Sequence, residues 1–236
     1  MSEADDRESL VESVASAFRA RDARGVNAHP GWHDLDAAGR PYVAFVSGSD
    51  MRVRRMLSGV WADASADAFD HAVSGRQVIL QVDSQNLPHV AFRETWGEVY
   101  HAVLDGAYWQ DTLEKGVSVG GTSIAVPRNG VGRISYATLT GPDRGLRFAV
   151  PGVSCAPPIC SATWNKTTVA VGTNGERGLD NSIALRSAVD GGDARIASYN
   201  PVSHLLEYSY QSGLVWQTET ADSSGDVGRY ASLALD

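Results

Sequence analysis

Residues 80–109, LQVDSQNLPHVAFRETWGEVYHAVLDGAYW, contain three short apolar runs and end in a tryptophan. The runs begin at Leu80, His89 and Val99. The turn after the first run contains Ser and Asn, which cap turn backbones or adopt positive φ in hairpins. Turn signals about eight to twelve residues apart are typical of short antiparallel strands. The stretch therefore predicts an antiparallel sheet, to which the residues after Trp109 add a fourth strand.

The same pattern occurs four times along the chain, with a period near fifty residues. Its first runs end at Asp36, Asp83, Pro127 and Arg186, and a fifth first run ends at Asp236. One four-stranded sheet cannot bury both of its faces without neighbours, so a repeat of this length favours β-propeller blades. The predicted fold class is all-β: a β-propeller of four-stranded antiparallel blades, with four full repeats plus one extra strand. A β-sandwich is the alternative. The repeats are placed at about residues 31–73, 74–119, 120–178 and 179–228, with a partial repeat at 229–236.

A tryptophan follows the third run of every unit. These residues are Trp61, Trp109, Trp164 and Trp216. Burying one large aromatic side chain removes about 150 to 250 Å² of surface from water. We therefore expect the four indoles to pack between neighbouring sheets. A sandwich would not require a tryptophan at the same position of every repeat.

The pattern changes before residue 31. The segment from Ser9 to Arg21 places Leu10, Val14 and Phe18 at helical spacing, so residues 1–30 are predicted to form a short N-terminal amphipathic α-helix and a linker. Two roles remain open for this helix. It packs on one rim of the propeller, which is the favoured interpretation, or it serves in oligomerisation.

The predicted extra strand at residues 229–236 has two explanations. It completes the blade begun near the N-terminus and closes the ring, or the chain is part of a larger propeller. In the second case an incomplete ring allows self-association.

Composition and charge exclude several classes of function. The chain has 20 Lys and Arg against 28 Asp and Glu, a formal charge of -8 that repels the phosphates of nucleic acids. No apolar run reaches the roughly 18 to 20 residues of a membrane-spanning helix. The acidic N-terminus has neither the basic nor the apolar part of a signal peptide. Cys155 and Cys160 are too few for a disulfide scaffold; whether they are bridged is open, with a bridge favoured.

Two segments carry a family resemblance. Residues 224–236 and 38–45 resemble consecutive parts of one blade of bacterial sialidase-like (BNR-type) repeat propellers, some of which are lectins. The resemblance implies carbohydrate binding and an extracellular or cell-surface location. The Asp-box of the sialidases, Ser-x-Asp-x-Gly-x-x-Trp, is absent, and residues 105–109 are its nearest remnant. This departure weakens any prediction of sialidase chemistry.

The chain contains residue patterns that resemble catalytic and metal-binding motifs, but the structure predicted around each of them is not the one that the motif requires. Residues 116–120 match a nucleophile elbow, which requires a strand, a tight turn and a helix. His29 and His33 are four apart, but Pro30 prevents the helix that would bring them together on a zinc ion. The Asp at the end of several first runs is expected to cap its own turn. No catalytic residue, metal site or cofactor is therefore predicted.

The predicted binding residues are Arg93, Glu94 and Trp96, between the second and third runs of unit two. The repeat does not require Trp96, and an indole beside charged groups can stack on a sugar while those groups bond its hydroxyls. The predicted function is that of a non-catalytic binding module for a glycan or a protein partner. The alternatives are a sialidase-like glycoside hydrolase and a structural fragment of a larger surface protein.

Overall fold

The structure, a computed structural model, describes residues 33–47, 50–64, 73–94, 97–105, 107–114, 119–127, 130, 132–142, 144–152, 164–172, 177–186, 193–213 and 215–235. The predicted N-terminal helix, Trp96 and the two cysteines fall outside these residues. The described part of the chain contains no helix of the length and apolarity that crossing a membrane requires.

The described strands form four antiparallel sheets, each built from four consecutive strands in chain order. Sheet 1 consists of β1 (His33–Leu35), β2 (Pro41–Ser47), β3 (Asp50–Leu57) and β4 (Val60–Asp63). Sheet 2 consists of β5 (Val73–Val82), β6 (Pro88–Glu94), β7 (Val99–Asp105) and β8 (Ala107–Glu114). Sheet 3 consists of β9 (Val119–Ala125), β10 (Arg133–Thr138), β11 (Gly145–Pro151) and β12 (Trp164–Val171). Sheet 4 consists of β13 (Leu179–Leu185), β14 (Ala194–Asn200), β15 (Leu205–Ser212) and β16 (Val215–Asp222). The predicted all-β class with four four-stranded units is confirmed.

Aspartates cap the turn between the first and second strands of sheets 1 and 2. Asp36 Oδ1 accepts the backbone N–H groups of Ala38 and Arg40, both at 2.9 Å. Asp83 Oδ1 accepts the backbone N–H groups of Gln85 and Leu87, both at 2.8 Å. Asx turns of this kind satisfy the amides that a tight hairpin leaves free. The predicted capping role is confirmed at both positions, whereas Asp236 lies outside the described residues.

Neighbouring sheets pack face to face through three apolar clusters. In the second strand of sheet 2, Val90 and Phe92 face sheet 1 while Ala91 faces sheet 3, and all three are fully buried. Alternation along a strand sends successive side chains to opposite faces, so a central sheet contributes to two clusters. The sheets therefore follow one another in chain order, each covered by the next.

The first strands lie side by side and are joined by a repeated hydrogen bond. In each case a side chain of one first strand accepts a backbone N–H from the next first strand or from the residue that directly follows it. The pairs are Asp34 Oδ2 with Val82 N at 2.7 Å, Gln81 Oε1 with Val126 N at 2.5 Å, and Ser123 Oγ with Ile183 N at 3.3 Å. Four sheets arranged around their first strands are β-propeller blades. Among the described strands, no extensive packing joins sheet 4 back to sheet 1.

Two of the four phased tryptophans lie between sheets as predicted. Trp164 is 8% exposed and packs against sheet 2, and Trp216 packs edge-on against Phe148 of sheet 3. Trp61 differs, because it is half-buried on the face of sheet 1 that points away from sheet 2. The side chain of Trp109 lies outside the described part of the chain.

The predicted extra strand is not formed over residues 229–235. Residues 223–235, the C-terminal segment, cross the face of sheet 4 that points away from sheet 3, called here its outward face. The Val227 N–H donates to the His204 carbonyl at 3.2 Å, and the Leu233 N–H donates to Ser182 Oγ at 3.1 Å. A strand needs a paired neighbour, and none of the described strands lies beside this segment in register.

Candidate binding site at the rim of the fourth sheet

The turns between second and third strands lie at one rim of the molecule, since the sheets share one topology and their first strands lie side by side. Arg93 and Glu94 end β6 at this rim. The Glu94 N–H donates to the Glu98 carbonyl and the Gly97 N–H donates to the Glu94 carbonyl, both at 2.9 Å, which makes the turn tight. Arg93 and Glu94 are half-buried, and Trp96 between them and Gly97 is not described. The structure therefore places two of the three predicted residues at one rim turn.

The corresponding turn of sheet 4 carries a larger polar cluster. We call Tyr199, His204, Asp226 and Arg229 the rim cluster. Tyr199 lies near the end of β14, His204 ends the following turn with a φ of 57°, and the other two residues come from the C-terminal segment. The cluster thus joins two parts of the chain that the fold brings together.

The Tyr199 hydroxyl is the centre of this cluster. It donates to Asp226 Oδ1 at 2.5 Å and accepts from an Arg229 amino group at 3.3 Å. His204 Nδ1 lies 3.1 Å from the hydroxyl and 3.2 Å from the same carboxylate oxygen. Arg229 also donates to Asp226 Oδ2 at 3.1 Å, and its guanidinium lies 5.0 Å from the centre of the Tyr199 ring. Since the hydroxyl proton is already given to Asp226, Nδ1 of His204 serves as a donor in these contacts.

These contacts hold Asp226, Tyr199 and Arg229 each in one charge state near neutral pH. The hydrogen bond from Tyr199 and those from Arg229 and His204 lower the pKa of Asp226, although partial burial opposes them. The same bond to Asp226 raises the pKa of Tyr199 above its ordinary value of 10.0. Asp226 raises the pKa of Arg229. The site therefore offers a carboxylate, a guanidinium and a neutral hydroxyl.

Exposure divides the cluster into an anchor and three accessible groups. Tyr199 is 2% exposed, whereas the side chains of His204, Asp226 and Arg229 are 56%, 48% and 55% exposed. Tyr230 follows directly and is 86% exposed. An aromatic ring beside donors and acceptors that are already oriented is an arrangement that binds sugar rings, because the ring covers their apolar face and the polar groups bond their hydroxyls.

A partly buried ion pair supports the turn that presents His204. Arg177 donates to both carboxylate oxygens of Glu207, at 2.7 and 2.6 Å, and Asn200 donates to one of them at 3.0 Å. The Asn200 side-chain oxygen in turn accepts the backbone N–H groups of residues 202 and 203, at 3.1 and 3.3 Å. The turn is therefore fixed before any ligand arrives, which lowers the ordering cost of binding.

The rim cluster does not have the carboxylate pair of a glycosidase. Hydrolysis of a glycosidic bond needs two carboxyl groups, one of them with a raised pKa so that it can act as an acid. Asp226 is the one carboxylate of the cluster, and its pKa is lowered. The geometry suits recognition of hydroxyl groups rather than proton transfer.

The sequence patterns pointed to the rim but not to this cluster. The interpretation of residues 229–236 as a strand left Arg229 and Tyr230 as ordinary strand positions. The signal in the chain was the spacing Asp226-x-x-Arg229-Tyr230 after a glycine-containing loop, together with a histidine in the second turn of unit four. Neither feature shows by itself that the segment folds back.

The sequence pattern at residues 116–120, rejected above as a nucleophile elbow, has a structural explanation at its C-terminal end. Residues 116–118 lie outside the described part of the chain, but Gly120 lies within β9. A Cβ atom at Gly120 would lie 2.5 Å from Cδ2 of Leu179 in sheet 4. Close packing of sheets 3 and 4 therefore accounts for this glycine.

No protein-family model and no curated protein sequence matches this chain. Solved structures match it at low identity. Virginiamycin B lyase from Staphylococcus aureus, a catalytically inactive variant with quinupristin, is 13% identical with a TM-score of 0.51; the match covers 84% of this chain and 58% of the lyase. A variant of the Aleuria aurantia lectin with Fucα1-6GlcNAc is 15% identical with a TM-score of 0.50, over 83% of this chain and 65% of the lectin.

A thermostable family-43 glycoside hydrolase is 9% identical with a TM-score of 0.48, over 84% of this chain and 73% of the enzyme. The chain therefore spans less than two thirds of the lyase and the lectin. At these identities the likeness to the lyase and the lectin shows the fold, a β-propeller-type arrangement, and not the activity.

Proposed function

We propose that this protein is a non-catalytic β-propeller module that binds a glycan at the rim cluster. The observation that carries the proposal is the grouping of His204, Asp226 and Arg229, each about half exposed, around a buried Tyr199 hydroxyl and beside an almost fully exposed Tyr230. A sugar ring stacks on Tyr230 while its hydroxyls bond the carboxylate and the guanidinium.

The likeness to the Aleuria aurantia lectin supports the choice of ligand class, since that lectin was solved with a fucose-containing disaccharide. We further propose that the protein is one of the bacterial sialidase-like repeat propellers, which residues 38–45 and 224–236 resemble. It also keeps Arg93, Glu94 and Trp96 as a second, separate sugar site on the same rim.

A glycan array followed by titration calorimetry tests the proposal. The purified protein is screened against neutral, fucosylated and acidic glycans, and the affinity of the best ligand is then measured for Asp226→Asn, Tyr230→Ala and the exposed control Arg54→Ala. We expect at least a tenfold loss for the first two variants and no change for the control. Binding to no glycan, or equal affinity in all variants, would contradict the assignment.

A turnover assay distinguishes the proposed non-catalytic binding module from a sialidase-like hydrolase. A fluorogenic sialoside and a set of nitrophenyl glycosides are incubated with the protein at several pH values. We expect no release above the uncatalysed rate. Release that disappears in Asp226→Asn would instead make the rim cluster an active site.

A further inference from the structure

We infer that the cleft between sheet 4 and the C-terminal segment receives the uncharged, apolar aglycone of a glycoside whose sugar ring binds the rim cluster. The aglycone is the group bonded to the sugar. The inference rests on the proposed function and narrows its ligand class from glycans in general to glycosides of this kind. The attachment of the C-terminal segment, the lining of the cleft and the position of Arg229 carry it.

The C-terminal segment is fixed to sheet 4 on both sides of the cleft. On the rim side the Val227 N–H donates to the His204 carbonyl at 3.2 Å, and on the other side the Leu233 N–H donates to Ser182 Oγ at 3.1 Å. Between these attachments the segment leaves a space of about 470 Å³ above the sheet. Sites for small molecules have volumes of roughly 300 to 1,000 Å³. The cleft is therefore large enough for a small apolar group, and its roof is in place before a ligand arrives.

Two residues with positive φ bend the segment above the cleft. Gly228 has a φ of 105°, and a Cβ atom there would lie 2.9 Å from Cα of Leu206, so the backbone passes close to β15 on the rim side. Tyr230 has a φ of 55°, a conformation that bulky residues adopt rarely. Backbone strain of this kind is often found where a ligand is held. The two bends therefore agree with a binding role for the cleft.

The cleft is lined mainly by apolar side chains. On the sheet they are Ala197, Leu206, Tyr208 and Ala221, and on the segment they are Ala231 and Leu233. Leu206, Tyr208 and Leu233 are half-buried, so they keep apolar surface that a ligand can remove from water. This lining favours an apolar group over a second sugar ring, whose hydroxyls would lose their hydrogen bonds to water.

The acidic residues of the cleft disfavour an anionic aglycone. Glu207 and Glu219 both belong to the lining. The Glu207 carboxylate is already bonded by Arg177 and Asn200, and Glu219 is exposed. A phosphate or a carboxylate in the cleft would lie close to these negative charges and be repelled. We therefore expect the aglycone to be uncharged.

Arg229 connects the cleft to the rim cluster. Its guanidinium donates to the Tyr199 hydroxyl at 3.3 Å and to Asp226 Oδ2 at 3.1 Å, and the same residue lines the cleft. The methylene groups of an arginine can cover apolar surface while its charged end stays on the polar side. A sugar bonded to the rim cluster therefore has the cleft beside it. In a glycoside the aglycone follows the sugar directly, which matches this order of polar and apolar surfaces.

A pair of glycosides tests the inference by titration calorimetry. The probes are the methyl and the hexyl glycoside of one monosaccharide, the one that the glycan array selects, both used below the concentration at which micelles form. We expect the hexyl glycoside to bind at least tenfold more tightly, because the cleft removes its alkyl chain from water. Asp226→Asn is expected to weaken both probes by the same factor, so that the ratio of their affinities stays unchanged.

Two variants fill the cleft from opposite walls. Ala221→Phe adds a ring from β16, and Ala231→Phe adds one from the C-terminal segment. Each is expected to reduce the ratio of hexyl to methyl affinity to about one and to leave the methyl affinity unchanged, which also shows that the variant is folded. Val215→Phe is the matched control, because it adds the same ring to β16 at a position that is 59% exposed and outside the cleft. We expect the control to leave both affinities unchanged.

The results distinguish failure of the cleft from failure of the rim site. Equal affinity for the methyl and hexyl glycosides would overturn the inference and leave the proposed sugar site intact. A hexyl gain that persists in both filled variants would also overturn it, since the alkyl chain would then bind elsewhere. Binding to no glycan of the array would contradict the proposed function, and the inference would fail with it.

Discussion

The His101 ring lies edge-on against the Trp164 indole, with centroids 5.5 Å apart and an interplanar angle of 87°, although the two residues belong to neighbouring sheets. His101 is 3% exposed and Trp164 is 8% exposed. The contact joins the outer strand of one blade to the third strand of the preceding blade, and so it holds the propeller together at a distance from its inner strands.

Replacing Trp164 by Ala is expected to lower the free energy of unfolding by about 3 to 5 kcal/mol, the usual cost of emptying a buried aromatic position. Urea denaturation followed by circular dichroism measures the change. Val171→Ala, in the same strand but 61% exposed, is the control and is expected to stay within about 0.5 kcal/mol of the unmodified protein. A loss below about 1 kcal/mol at Trp164 would mean that the indole does not join the sheets.

Stability is expected to fall as the pH drops below about 6.5. His89 Nδ1 lies 3.1 Å from His101 Nε2, and Asp83 Oδ2 lies 3.3 Å from His89 Nε2, in a buried row. Burial and the neighbouring His89 hold the pKa of His101 well below its ordinary value of 6.5. Below pH 6.5 the unfolded chain therefore binds a proton at His101 that the folded chain does not bind. This lowers the free energy of unfolding by up to about 1.4 kcal/mol for each unit of the pKa difference.

Asp83 extends the loss of stability to lower pH. Burial raises its pKa, but hydrogen bonds from His89 and from backbone amides outweigh burial, so the pKa lies below the ordinary value of 3.8. Its contribution is present above pH 3.8 and disappears as the pH falls through the lowered value. Melting temperatures from pH 8 to pH 3 measure both losses. His101→Gln is expected to flatten the slope between pH 6.5 and 5, and an unchanged slope in that variant would assign the effect to other groups.

The partly buried Arg177–Glu207 ion pair behind the rim turn is expected to contribute more to stability than an exposed pair, because its carboxylate is buried. Arg177→Ala leaves the Glu207 carboxylate, 5% exposed, without its main partner, which is expected to cost about 3 kcal/mol. The matched control is Arg54→Ala, because the Arg54–Asp63 pair is 2.8 Å long but 41% and 46% exposed, and such pairs contribute at most about 1 kcal/mol. Chemical denaturation of both variants gives the comparison, and equal losses would show that Glu207 is solvated in the folded protein.

Two glycines with positive φ are expected to respond differently to alanine. Gly145 has a φ of 129°, and a Cβ there would lie 2.1 Å from the Ala170 carbonyl oxygen, whereas Gly213 has a φ of 65° and open space. Gly213→Ala is expected to cost about 1 kcal/mol from backbone strain alone. Gly145→Ala adds a clash with backbone that cannot move aside, so we expect a loss of more than about 3 kcal/mol. Thermal denaturation ranks the two, and equal melting temperatures would contradict the close approach of β11 and β12.

The four units and their turns could be predicted from local patterns. Alternating apolar residues mark strands, and the Asp at residues 36 and 83 marks a capped turn, because both signals depend on neighbours within a few positions. The packing of Trp164 and Trp216 between sheets followed from their phase in the repeat. The placement of Arg93 and Glu94 at a rim turn followed in the same way.

The rim cluster and the outward face of sheet 4 were decided by the tertiary structure. Tyr199 and Arg229 are thirty positions apart, and they meet because the C-terminal segment folds back across sheet 4 instead of pairing as a strand. The residues of that segment have strand-like alternation, but a strand forms only where a partner edge is available, and that depends on the arrangement of whole sheets. Local residue patterns therefore determined the blades of this protein, and long-range packing determined where its last residues lie and which polar groups they complete.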